Sequence, residues 1–96
     1  MTIDPKEVGA RLKAVRAAMG PAVTRSDFGT RVELSLTDVH NYETGSVLLP
    51  VNLAQKILDA VPGLTFEWLY HGTCEGLPVY LRMLLCRQGA ADYAFD

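Results

Sequence analysis

The side chains with the clearest chemical potential are Thr37, His40 and Asn41, which sit three and four residues apart. Residues with that spacing share one face of an α-helix. Ser35 can cap such a helix, because a serine hydroxyl accepts a hydrogen bond from a backbone N–H of the first turn. The sequence therefore predicts a short helix over residues 35–42 that presents hydrogen-bond donors and acceptors to a partner.

A second capping signal lies just upstream, at Thr24 and Asp27, where a capping box predicts the start of another helix. Phe28 and Val32 fall one turn apart on the apolar face of that helix. Helices this short bury too little apolar area to be stable alone. We therefore expect the two helices to pack against each other across a tight turn at residues 33–34.

The remaining elements follow from caps, prolines and apolar periodicity. Leu49 is expected to turn inward together with Leu48, and Trp68 to pack in the core. The other predicted helices span about residues 5–19, 51–61, 65–70 and 79–86.

Three segments carry a resemblance to a known family: GARLKAVRAAMG, SLTDVHNYETG and LAQKILDAVPGLTFEWLYHG. Together they resemble the lambda-repressor-like (Cro/C1, XRE) helix-turn-helix family over roughly residues 8–72. The most specific marks are Tyr-Glu-x-Gly, ending at Gly45, and the Trp-Leu pair that begins at Trp68. The resemblance implies an all-α fold with a five-helix DNA-binding domain over residues 1–72. Residues 73–96 would add a C-terminal apolar helix and a tail.

The chain departs from the family pattern near the predicted turn. Thr24 and Arg25 stand where the family usually has Ser-Gln, Gly29 where it has alanine, and Glu33 where it has glycine. About two extra residues, around Pro21, precede the second helix.

The resemblance implies a small bacterial or phage-type transcriptional regulator that binds double-stranded DNA. The helix over residues 35–42 would enter the major groove, with Asp38 as a discordant acid and no Arg or Lys from residue 33 to residue 52. Glu43 is expected to tie the end of that helix to Arg11 or Arg16. The residues expected to read bases are Leu36, Thr37, His40 and Asn41. Those expected to contact phosphate are Arg11, Arg16, Thr24, Arg25 and Ser46.

Charge is unevenly distributed along the 96 residues, whose formal net charge is −2. Residues 1–31 hold six basic and three acidic side chains, whereas residues 32–96 hold three basic and eight acidic. The basic part can face phosphate while the acidic part faces away. The alternative explanation of this charge distribution is a solvated helix face plus an acidic tail. The alternative function is a protein-interaction module of the same fold, such as an antitoxin-like or anti-repressor-like partner, with little DNA binding.

The sequence has no run of the roughly 20 apolar residues that a membrane span needs, and no signal-peptide core. We therefore expect a cytoplasmic, nucleoid-associated protein in which Cys74 and Cys86 are reduced. His71 and these cysteines are one ligand short of a structural zinc site. No motif pairs a nucleophile with a base. We predict no metal, no cofactor and no enzymatic activity.

The segment over residues 79–86, directly after Pro78, is apolar on nearly every side, with Arg82 as its one charge. A helix with 3.6 residues per turn cannot bury all of these side chains against one small core. We therefore predict a homodimer, whose two-fold axis pairs the same patch on both copies. The alternative is that the helix packs on its own domain and leaves only a few apolar side chains exposed. The predicted interface residues are Val79, Tyr80, Leu81, Met83, Leu84 and Leu85.

Overall fold

Each helix begins where the sequence supplies a capping side chain or a proline. The structure, a computed structural model, describes residues 3–86, and in that range the chain is all-α with no strand. The helices are α1 (Pro5–Met19), α2 (Arg25–Val32), α3 (Leu36–Thr44), α4 (Val51–Ala60), α5 (Phe66–His71) and α6 (Val79–Leu85).

The predicted caps are confirmed. The Asp4 carboxylate accepts from the N–H of Lys6 at the start of α1, and the Ser35 hydroxyl accepts from the N–H of Asp38 at the start of α3. At α2 the capping box of Thr24 and Asp27 is complete in both directions. α4 and α6 instead follow prolines and have no side-chain cap. The local sequence therefore determines where these helices start.

The turn between α2 and α3 depends on two residues that depart from the expected pattern. Glu33 adopts a left-handed conformation (φ 60°), which a glycine would adopt at lower cost. Gly29 lies directly beneath the turn, where a Cβ would stand 2.6 Å from the carbonyl oxygen of Leu34. Gly29 thus permits a closer approach of the turn to α2 than any other residue would.

A single hydrophobic core includes residues from all six helices. α1 packs against α3, α5 and α6, while α2 packs against α3 and α4. Trp68 is buried as predicted, and Leu49 is fully buried. The prediction for Leu48 is wrong, because that side chain is 40% exposed where the chain turns from α3 into α4. The largest fully buried side chains are Leu12, Phe28, Leu49, Ile57, Leu69 and Leu77.

α6 belongs to this same core, which changes the predicted dimer interface. Leu81 and Leu85 are buried within the chain, one turn apart on the face of α6 that meets the core. These two residues are therefore not available to a second copy. The opposite face leaves four apolar side chains half or more exposed: Val79, Tyr80, Met83 and Leu84.

The prediction that the cysteines are reduced is wrong in this structure, because Cys74 and Cys86 form a disulfide. The chain turns back after α5, so that the end of α6 lies beside the exit of α5. The two Cα atoms are 6.5 Å apart, within the range that a disulfide spans. None of the helices in residues 3–86 has the length and apolar character of a membrane span.

Candidate functional site

The exposed face of α3 carries the residues expected to read bases. Val39 and Tyr42 bury the opposite face, so Thr37 and His40 point outward and Asn41 is half-buried at the edge. Leu36 in the first turn is 55% exposed. The structure thus brings these four residues to one surface, with an apolar side chain beside three polar ones.

His40 is oriented by a basic residue of α2. A guanidinium nitrogen of Arg25 lies 2.8 Å from Nδ1 of His40. Arginine has no acceptor, so Nδ1 must accept this hydrogen bond and the imidazole proton must sit on Nε2. The contact therefore favours the tautomer in which Nε2 is the N–H donor of His40.

Glu43 joins α1, α2 and α3 through one buried carboxylate. Its side chain is 0% exposed and accepts from Arg16 Nε at 2.8 Å and Arg16 Nη2 at 3.2 Å. It also accepts from Arg25 Nε at 3.0 Å. Arg16 further donates to the carbonyl of Val23 at 3.0 Å. Of the two partners that the resemblance implied for Glu43, Arg11 and Arg16, the structure shows Arg16.

The role of Arg25 in this cluster was missed by the sequence analysis. Arg25 was expected only at phosphate, yet it bridges the Glu43 carboxylate and His40. The available signal was its place in the first turn of a helix predicted to pack against residues 35–42. Two guanidinium groups on one carboxylate leave one positive charge unbalanced at the edge of α3. With a side chain 32% exposed, Arg25 places part of that charge at the surface.

Close backbone packing holds α3 against α1 near Glu43. A Cβ at Gly9 of α1 would stand 2.6 Å from the carbonyl oxygen of Glu43 and would also meet that of Tyr42. At the end of α3, Gly45 (φ 79°) lies against the backbone of Lys6. Glycines therefore allow these two helices to approach closely, and the buried ion pairs lie at the same junction.

The other predicted phosphate residues are divided between two places. Thr24 and Ser46 are exposed, and the Ser46 hydroxyl is 3.0 Å from that of Thr44 at the end of α3. Arg11 instead donates to the carbonyl of Leu69 and to Glu7, both at 3.3 Å. The structure thus engages Arg11 with α5 and places Thr24 and Ser46 beside the surface that α3 presents.

Asp38, the discordant acid, lies in the first turn of α3 and is half-buried. Burial is the main cause that raises the pKa of Tyr42 above its usual value, and the nearby Asp38 carboxylate adds to the increase. A negative charge in the first turn also interacts favourably with the helix dipole. The Asp38 carboxylate thus acts on the fold electrostatically, through the dipole of α3 and through the ionisation of Tyr42.

Comparisons of the chain with protein-family models, with curated proteins and with solved structures found no match. A functional assignment therefore depends on the residues and the geometry described above.

Proposed function

We propose that the chain is a small sequence-specific transcriptional regulator that binds duplex DNA as a homodimer. In this proposal α2 and α3 act as a helix-turn-helix of the lambda-repressor-like kind. The observation that carries it is the outward face of α3: the buried Glu43 carboxylate joins α3 to α1 and α2, and Arg25 on that carboxylate also orients His40. A rigid support of that type is what base recognition requires, because donors and acceptors must meet base edges at fixed positions.

α3 would lie in the major groove with its first two turns against base edges. Asn41 suits adenine, which offers an acceptor and a donor on that edge. His40, with its proton on Nε2, would donate to an acceptor such as guanine O6 or N7, in place of the arginine that α3 lacks. Leu36 and the methyl group of Thr37 suit the methyl group of thymine.

Phosphate contacts would come from the start of α2 and from the turn after α3. Free backbone N–H groups at a helix N-terminus favour an anion, and Thr24 and Ser46 add hydroxyl donors. Arg25 adds the exposed part of a charge that Glu43 only partly balances. Arg11 and Arg16 would act chiefly through the protein interior, because both donate to carbonyl or carboxylate oxygens of the fold.

The homodimer would form through the exposed stripe of α6, defined by Val79, Tyr80, Met83 and Leu84. Val79 and Met83 lie one turn apart, as do Tyr80 and Leu84, so the four share one side of α6. Two-fold pairing would bury the same stripe on both copies. It would also supply two α3 helices for half-sites roughly 34 Å apart. Such a regulator would act in the cytoplasm, associated with the nucleoid.

A second candidate is a protein-interaction module with the same fold and little DNA binding. The observation that favours it is the engagement of Arg16 and Arg25 by Glu43, which reduces the positive charge available for phosphate. The apolar side chain of Leu36 on an otherwise polar face would also suit a protein partner.

The experiment that separates these candidates measures binding of the full chain to a random duplex and to a selected duplex across a salt series. For a DNA-binding protein, the logarithm of the binding constant falls linearly with the logarithm of the salt concentration. Asn41→Ala should weaken binding to the selected duplex by about 1–3 kcal/mol and leave binding to the random duplex nearly unchanged. No binding to either duplex at low salt would leave the protein-interaction module as the better description.

Arg25→Ala tests the phosphate contact within the same assay. We expect weaker binding to all duplexes and a salt slope shallower by about one unit. Arg31→Ala is the matched control, because Arg31 is an exposed arginine at the other end of α2. Equal effects of both variants would remove Arg25 from the contact surface.

A further inference from the structure

The disulfide closes a loop that contains the whole of α6. Cys74 lies two residues after Gly72, which ends α5, and Cys86 immediately follows α6. Cys86 is buried at 3% exposure, whereas Cys74 is only partly buried. The bond thus fastens the C-terminal end of α6 to the exit of α5.

α6 is a short helix that such a covalent link can stabilise. It has seven residues and no side-chain cap, so it gains little stability from its own hydrogen bonds. Most of its other polar ties lie near its N-terminal end. The Tyr80 hydroxyl donates to the carbonyl of Pro62, and Arg82 Nε donates to the carbonyl of Leu77 at 3.1 Å. Near its C-terminal end, Leu85 is buried in the core and the disulfide joins Cys86 to Cys74.

The proposed function would place this disulfide in a compartment that reduces most disulfides. Disulfides that form in such compartments are usually transient, and they serve catalysis or redox sensing. The half of α6 that the disulfide fastens carries Met83 and Leu84, which belong to the exposed stripe. A change in the bond would therefore act directly on the surface that is proposed to pair two copies.

We propose that the Cys74–Cys86 disulfide is a redox switch for homodimerisation, and through it for DNA binding. The oxidised chain holds the exposed stripe of α6 in one position, and reduction releases the C-terminal half of the helix and weakens the dimer. This inference rests on the proposed function, because it assumes that the stripe pairs two copies.

The reductant is a cellular thiol, either a small monothiol or a protein dithiol. Its thiolate attacks Sγ of Cys74, the more exposed of the two cysteines, and the S–S bond breaks with Cys86 leaving as a thiolate that takes a proton. A second reductant thiol attacks the mixed disulfide and releases Cys74, which also takes a proton. The two reductant thiols become one disulfide, so two electrons and two protons pass to the chain.

Sedimentation equilibrium of the full chain, oxidised and after treatment with a dithiol, tests the switch. We expect the dimer dissociation constant to rise at least about tenfold on reduction. The matched control is the double variant C74S/C86S, which should resemble the reduced chain and should not respond to the dithiol. The oxidised chain should also bind a random duplex at low salt more tightly than the reduced chain and the double variant do.

The fluorescence of Trp68 reports whether the core survives reduction, because this buried tryptophan belongs to α5. An unchanged spectrum with a weaker dimer supports a local switch. A dimer of equal strength in both redox states would overturn the switch while leaving the proposed function intact. An oxidised chain that stays monomeric would overturn the switch together with the homodimer. Loss of the native Trp68 spectrum on reduction would overturn it too, since the disulfide would then support the whole fold.

Discussion

At the scale of single residues, Glu43 is the group on which the candidate site depends most. A fully buried carboxylate is costly unless charged donors compensate it, and here two arginines from two other helices do so. The same arrangement orients His40 through Arg25. Glu43 thus helps to position α3 and, through Arg25, to orient the imidazole of His40 on the outer face of that helix.

Glu43→Gln should destabilise the fold, because two guanidinium groups would lose their charged acceptor. We expect the free energy of unfolding to fall by about 3 kcal/mol in urea titrations. The matched control is Glu7→Gln, which breaks an exposed pair with Arg11 and should cost less than about 1 kcal/mol. A similar small loss for both variants would show that the buried cluster is not a principal support.

Two buried phenols make stability sensitive to alkaline pH. Burial, and to a lesser degree Asp38, raises the pKa of Tyr42, and burial raises the pKa of Tyr70. A pKa higher in the folded than in the unfolded chain contributes stability that is present below about pH 10 and lost as pH rises through the raised value. Urea titrations above pH 9 should show this fall.

Tyr42→Phe isolates the phenol from the lysines that titrate in the same range. We expect the decrease in unfolding free energy above about pH 10 to be shallower in this variant than in the wild type. Asp38→Asn should change this pH dependence less than Tyr42→Phe does, since burial contributes more than Asp38 to the raised pKa of Tyr42. Identical slopes for wild type and Tyr42→Phe would mean that Tyr42 ionises as readily in the folded chain as in the unfolded one.

At the scale of helices, the turn between α2 and α3 requires a residue without a side chain at Gly29. Gly29→Ala would place a Cβ 2.6 Å from the carbonyl oxygen of Leu34, a backbone atom that cannot simply rotate away. We expect a loss of about 1–3 kcal/mol in unfolding free energy. Gly76→Ala is the matched control, because its Cβ would make an ordinary contact of 3.5 Å with Thr65. An unaffected Gly29→Ala variant would contradict the close approach.

Helix positions were predictable because the signals that start and stop a helix are local. Asp4, Thr24 and Ser35 cap from within three residues, and Gly45 and Gly72 end α3 and α5 in left-handed conformations. Contacts distant in sequence were harder to predict. No local pattern distinguishes Leu48, which is exposed, from Leu49, which is buried. The carbonyl oxygen of Leu49 also accepts a hydrogen bond from the Tyr70 hydroxyl, a contact distant in sequence.

The candidate site shows the same division between local and distant information. Helical spacing placed Thr37, His40 and Asn41 on one face. A family pattern narrowed the partner of Glu43 to Arg11 or Arg16, and the fold decides for Arg16. The second arginine and the disulfide depend on how separate elements meet, which a single sequence does not encode locally. Cys74 and Cys86 were therefore assigned from cellular redox conditions, whereas the return of α6 to the end of α5 determines their pairing.

At the scale of the whole molecule, the question is what covers the exposed stripe of α6. A chain cut after Gly76 would not test dimerisation cleanly, because Leu77, Leu81 and Leu85 would leave the core with the removed segment. A groove of about 280 Å³ borders the stripe and is lined in part by Met19 and Pro62. Apolar side chains beside an apolar groove favour a self-complementary contact, since each copy offers both parts.

Met83→Asp should therefore separate the dimer without unfolding the chain. Met83 is 59% exposed in one copy, so an aspartate there remains solvated until two copies meet. In the proposed two-fold interface it would bury two like charges, one from each copy, and we expect the dissociation constant to rise at least about tenfold. The matched control is Val47→Asp, an exposed valine after α3, which should leave sedimentation unchanged. If Met83→Asp remains a dimer of wild-type strength, the pairing surface lies elsewhere and the stripe of α6 serves another contact.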